Sequence, residues 1–220
     1  MGERTIYFLF TDTGTYLAKA INYCTKQPLN HVSIAFDREL KEVYSFGRKR
    51  PHNPFIGGFV KEDIRSDVLK DSTCAIYSFQ LSDGDCETVL RNIKAIEAQK
   101  QAYKYNFLGL FGVLLRIEIE REHALFCSQF VATVLHDVDS FHVQKPHCFV
   151  TPGDIRNHIG MQLVYQGKLS NYQLGHKDRH LVPEKTMEQQ SAVGIQMQES
   201  VKRQSFLYGI SERVKRLVIK

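Results

Sequence analysis

Hydrophobic and polar positions along the chain alternate in two rhythms. Thr5 to Phe10 is a β-rich run that ends in the turn signal Asp12-Thr13-Gly14. Thr13 or Thr15 can cap a following helix, in which Leu17, Ala20, Ile21 and Cys24 form an apolar stripe that Pro28 closes. In Asn30-His31-Val32-Ser33-Ile34-Ala35-Phe36 the apolar residues Val32, Ile34 and Phe36 alternate with His31, Ser33 and Ala35, which is the period of a strand. Glu42 to Gly47 reads as the returning strand, so 31–47 is a hairpin. Residues 48–60, with two prolines, paired glycines and the triplet Arg48-Lys49-Arg50, read as a long surface loop. Cys74 to Leu81 is a well-covered strand.

The helical rhythm takes over at Asp83. Val89, Ile93 and Ile96 make a stripe in a helix that runs to about Gln101. An aromatic stretch, Tyr103 to Phe111, follows and is expected under the next helix, with 116–123 as a charged connector. In Phe126-Cys127-Ser128-Gln129-Phe130-Val131-Ala132-Thr133-Val134-Leu135, the residues Phe126, Phe130, Val131, Val134 and Leu135 share one apolar face of a helix ending near His136 or Asp137. The turn Thr151-Pro152-Gly153-Asp154 leads to a last strand over Gln162–Tyr165. Residues 1–175 therefore form one domain. Beyond them, 176–190 is polar and irregular, and 195–220 reads as a basic amphipathic helix with Phe206, Ile210, Val214, Leu217 and Val218 on one side. Such a stripe needs a partner: the domain's own flank, a second subunit, or a membrane surface.

Composition narrows the class. With 220 residues, 43% hydrophobic and 24% charged, the chain is an ordinary globular one with a sizeable core. Five scattered cysteines without a CxxC pair argue against a disulfide scaffold or a four-cysteine zinc site. The first ten residues lack the pattern of a signal peptide, and Phe107–Leu115 is too short to span a bilayer, so the expectation is a cytoplasmic protein with reduced thiols. The net charge is +5, of which +4 lies in 176–220; that is too mild to argue for nucleic acid. No cofactor motif is apparent.

Candidate chemistry centres on Cys127. A thiol in the first turn of a helix feels the positive end of the helix dipole, which favours the reactive thiolate; a free cysteine can also pack simply as a small hydrophobe. Nucleophilic catalysis needs a base and a group that orients the base. Of nine histidines, His31 stands out because it opens a strand and can point off the sheet toward a helix N-terminus. The third group should come from the returning strand, where Ser45 and Glu42 are the polar choices. A metal site built from His123, Cys127, His136, Asp137 and His142 is a weaker alternative, because only the one-turn spacing of His123 and Cys127 suits ligands.

The order of these motifs resembles the circularly permuted branch of the NlpC-type papain-like superfamily, which includes YiiX/YaeF-like proteins and, more distantly, the lecithin retinol acyltransferase group. The resemblance rests on His31-Val32-Ser33-Ile34, the aromatic stretch Tyr103–Phe111, Cys127-Ser128-Gln129-Phe130-Val131, and Thr151-Pro152-Gly153-Asp154, and covers roughly 5–165. It implies an α+β permuted papain-like fold, an antiparallel sheet packed against the cysteine helix, Cys127 as nucleophile and His31 as base. It places the third residue at Ser45, fourteen positions after His31, where relatives carry His, Asn or Glu; Glu42 is the alternative. Tyr103-Lys104 departs from the Tyr-Asp of many relatives. The implied activity is a cysteine-dependent amidase or peptidase working through a thioester on an intracellular amide. The alternatives are a lipid-directed acyltransferase or thioesterase, with an acyl-lipid substrate, and a non-catalytic binding module on a degenerate fold.

Overall fold

The computed structural model describes residues 2–12, 29–50, 53–67, 69–106 and 123–174, with backbone only for 48–50 and 53–56. The expected helix over 13–24, the aromatic residues 107–111, most of the charged connector and the whole tail from 176 lie outside the described residues.

The fold is α+β. Six strands form an antiparallel sheet in the order β4-β3-β2-β1-β5-β8. They are β1 (Glu3–Asp12), β2 (His31–Ala35), β3 (Val43–Arg50), β4 (Asn53–Glu62), β5 (Thr73–Ser82) and β8 (Gln162–Lys168). Two residues each of β6 (Lys104–Tyr105) and β7 (Ala124–Leu125) make a small parallel pair. The helices are α1 (Asp83–Ala98), α2 (Cys127–Val134), α3 (Pro152–Arg156) and α4 (Leu169–Leu174).

Strand alternation gives the sheet two apolar faces. Ile6, Phe8, Phe10, Val32, Ile34, Tyr44, Phe46 and Phe59 face α1 and α2 in the larger core. Leu9, Ala35, Val43, Cys74 and Ile76 face the other way, toward Leu169 and Tyr172 of α4. A helix of eight residues has little stability alone. Its Phe130, Val131 and Val134 are fully buried, each contributing about 1.5–3 kcal/mol by leaving water. Phe130 packs against Phe46 and Phe59 with ring centroids 5.3 and 5.9 Å apart. Two hydrogen bonds then fix the ends of α2. Ser128 Oγ donates to the Val150 carbonyl at 2.6 Å, and Asn92 Nδ2 of α1 donates to the Val134 carbonyl at 3.2 Å.

The expected loop over 48–60 is instead the end of β3 and most of β4. Pro54 and the glycines read as loop punctuation, but β4 is the outermost strand, where a proline removes no needed ladder bond. Gly57 is required by close approach: a Cβ there would lie 2.7 Å from Tyr105 Cβ and 2.8 Å from the Gly47 carbonyl oxygen. The Thr151–Asp154 turn is the opening of α3, closed by a reciprocal capping box between Thr151 and Asp154. Three boundaries shift: α1 stops at Ala98, α2 stops at Val134, and the last strand continues to Lys168.

Candidate active site

Cys127 is the first residue of α2, and its neighbour Phe126 stands at the N-cap with no side-chain oxygen to offer. Two other helices differ: Ser82 caps α1 and Thr151 caps α3. The N–H groups of the first turn of α2 therefore have no capping side chain, and an uncapped helix start is a place for negative charge. Cys127 is 6% exposed, and its Sγ lies 3.9 Å from the Asn30 carbonyl, toward which it donates. That contact sets the sulfur beside the first residue of β2.

His31 is that residue. It stands at the margin of the sheet, where its ring comes within hydrogen-bonding reach of the Cys127 thiol. Its Nε2 lies 2.6 Å from Glu62 Oε1 of β4, with both side chains about one-tenth exposed. The second carboxylate oxygen, Oε2, accepts a short hydrogen bond from Ser33 Oγ. With Nε2 engaged by the carboxylate, Nδ1 is the nitrogen left for proton exchange with the thiol.

The electrostatics follow from this arrangement. Burial alone would push the His31 imidazolium to lose its proton. The charge of Glu62, then that of Cys127, and the hydrogen bonds to both outweigh burial and raise His31 well above 6.5. Burial would likewise raise Glu62. The His31 charge and the hydrogen bonds from His31 and Ser33 win, and the carboxyl is held below its usual range. The resting pair is thus imidazolium and carboxylate, with the Cys127 sulfur at the imidazole's other side.

Cys127, His31 and Ser45 come together as expected from the sequence, but Ser45 does not hold the imidazole. Its hydroxyl donates to the Val32 carbonyl at 2.8 Å and stands 3.5 Å from His31 Nε2. Glu42 is elsewhere: it accepts from the Tyr44 hydroxyl at 2.6 Å and pairs with Lys61 on the surface. The orienting acid is Glu62, one strand farther out than expected. The small side of β3 lets it reach. Ser45 and Gly47 lie between β2 and β4, and a Cβ on Gly47 would sit 3.6 Å from Glu62 Oε1 and 3.8 Å from His31 Cε1. The only hint of Glu62 in the sequence is the short alternation Phe59-Val60-Lys61-Glu62, and the glycines before it suggest a loop.

The five residues of the metal alternative do not converge. His123 packs edge-on against Tyr103, His136 against His147, and Asp137 takes a hydrogen bond from Asn92. Among the described residues no three His, Cys, Asp or Glu side chains group as metal ligands. Among them, too, no helix is long and apolar enough to cross a membrane. No family model, curated protein or solved structure matches the chain.

Proposed function

We propose that this chain is a cysteine-dependent hydrolase, an amidase or peptidase, built on a permuted papain-like fold. The observation that carries the reading is the Cys127 thiol at the uncapped start of a buried helix, within reach of a His31 whose far nitrogen is held by the buried Glu62. Burial pushes the Cys74 thiol up to about 12, which makes it inert.

The reaction runs as acyl transfer. Cys127 attacks as the thiolate, its proton being the one that His31 already carries, and forms a C–S bond with the carbonyl carbon of an amide. The oxyanion is met by the backbone N–H of Cys127 at the start of α2. His31 then gives its proton to the leaving nitrogen as the C–N bond breaks, leaving a thioester. A water attacks that thioester as His31 takes its proton; the carboxylate product leaves and the thiolate is restored. Glu62 keeps the imidazole in one orientation and stabilises the imidazolium in both halves.

The test is direct trapping. Incubating the full chain with a panel of activated acyl amides and thioesters should add the acyl mass to the peptide containing Cys127, in a form that hydroxylamine releases. Cys127→Ser and His31→Gln should give no adduct. Absence of any adduct, with Cys127 alkylated by iodoacetamide no faster than in the unfolded chain, would overturn the proposal.

A further inference from the structure

We propose that Ser33 is a positioning residue that locks the Glu62 carboxylate against His31. The inference rests on the reading of Cys127 and His31 as nucleophile and base. Ser33 is completely buried on β2, two residues from His31 and therefore on the same face of the strand. Leu9 stands opposite it on β1, so its surroundings there are apolar. A buried hydroxyl in such a place needs a partner, and Ser33 Oγ donates to Glu62 Oε2 while Oε1 takes His31.

Two anchors on one rigid strand explain the geometry. His31 and Ser33 are spaced by two strand residues, about 6.6 Å. A carboxylate bonded at both oxygens to groups with that fixed spacing has one orientation. Bonded only to His31, it keeps the rotational freedom of a long side chain that starts two strands away. Ser45 cannot replace Ser33, because its own hydroxyl is given to the Val32 carbonyl. The titratable groups that face Glu62 are His31 directly and Cys127 through it. Neither can bond Oε2 in place of the serine, since His31 already uses Oε1 and the Cys127 thiol is directed to the Asn30 carbonyl.

The experiment follows the His31 ring by NMR in the full chain as pH is varied, with His31→Gln used to assign its signals. It is paired with peptide-resolved iodoacetamide labelling of Cys127 at neutral pH. In the native chain the low-pH step in the His31 signals reports protonation of Glu62. In Ser33→Ala that step should move up by at least about half a pH unit, because the carboxylate has lost a donor. Labelling of Cys127 should slow in the same variant. Ser33→Thr, which keeps the hydroxyl, should restore both. Ser33→Cys keeps the volume with a weak donor and should move the step in the same direction as alanine; it covers the case in which the alanine variant does not fold. A serine that only fills space would leave the step where it is, and an unmoved step in folded Ser33→Ala or Ser33→Cys overturns the inference. If His31→Gln labels at Cys127 as fast as the native chain, the nucleophile–base reading itself is wrong. If His31→Gln slows labelling while Ser33→Ala does not, only the role of Ser33 is wrong.

Discussion

Replacing Glu62 by Gln removes one charge from the site and little else. The amide has the size of the carboxylate and can still accept from Ser33, so packing is conserved. What is lost is the charged hydrogen bond at 2.6 Å between two side chains that are about nine-tenths buried. Hydrogen bonds to charged groups contribute about 1.5–3 kcal/mol. Stranding a buried charge costs about 3–5 kcal/mol, but the imidazole can shed its proton and escape that penalty, so the smaller figure applies. The sign with pH follows from the two shifts. His31 is raised, so its contribution is whole below its ordinary value of 6.5 and is lost as pH rises through the raised folded value. Glu62 is lowered, so its contribution is whole above its ordinary value of 4.5 and is lost as pH falls through the lowered one. The native chain should exceed Glu62→Gln in stability by about 1.5–3 kcal/mol in urea unfolding near pH 5.5, with the gap closing as pH rises through the raised His31 value. The same energy withdrawn from the imidazolium should slow iodoacetamide labelling of Cys127 by about 10- to 150-fold at neutral pH. A stability gap that ignores pH, or labelling within about threefold of native, would refute the reasoning.

Substitutions at three other positions probe the parts. Ser45→Ala should leave Cys127 labelling within about threefold, at a cost of about 1 kcal/mol for the bond to the Val32 carbonyl, read by urea unfolding; a loss as large as that of Glu62→Gln would restore Ser45 as the orienting residue. Gly47→Leu should push Glu62 off His31 and slow labelling as Glu62→Gln does, whereas Gly47→Ala should not, because its Cβ meets only ordinary contacts at 3.5–3.8 Å. Thr151→Ala removes the cap of α3 and should cost about 1 kcal/mol in thermal unfolding without changing Cys127 labelling by more than the fraction unfolded.

The pairing of Cys127 with His31 was legible in the sequence for physical reasons. Val32 and Ile34 alternate cleanly against His31 and Ser33 because one face of β2 packs in the larger core while the other gives His31 and Ser33 to the Glu62 carboxylate. The apolar spacing of Phe130, Val131 and Val134 marks α2 because that helix depends on packing, not on caps. Where strands obey rules set by neighbours far away in sequence, the pattern fails. β4 carries Pro54, Gly57 and Gly58, which signal a loop unless one knows that the strand lies at the sheet edge and that Tyr105 closes on Gly57. Glu62 was hidden with it. Expecting the third residue on β3 follows the neighbour-strand logic, but it overlooks that two small residues on β3 open the way to the strand beyond.

A buried ion pair is a poor device for stability, and that points to what this one is for. The face of the sheet that carries His31, Ser33 and Glu62 also carries the apolar Leu9, Ala35 and Val43, beside the buried polar Thr11 and Ser45. Continuing that surface with leucines would have been the cheaper solution, since well-packed apolar residues in place of a buried pair are often neutral or stabilising by about 1–4 kcal/mol. The double variant His31→Leu with Glu62→Leu should therefore unfold at a urea concentration equal to or above that of the native chain near neutral pH. Each single leucine variant should fall below native, because each strands the other polar group. Labelling of Cys127 should drop in all three to the level of an unactivated thiol. If instead the double variant loses several kcal/mol, the charges are part of the scaffold, and their place beside the thiol needs another explanation. A double variant as stable as native with an unreactive Cys127 would mean that the pair is kept for chemistry at the sulfur.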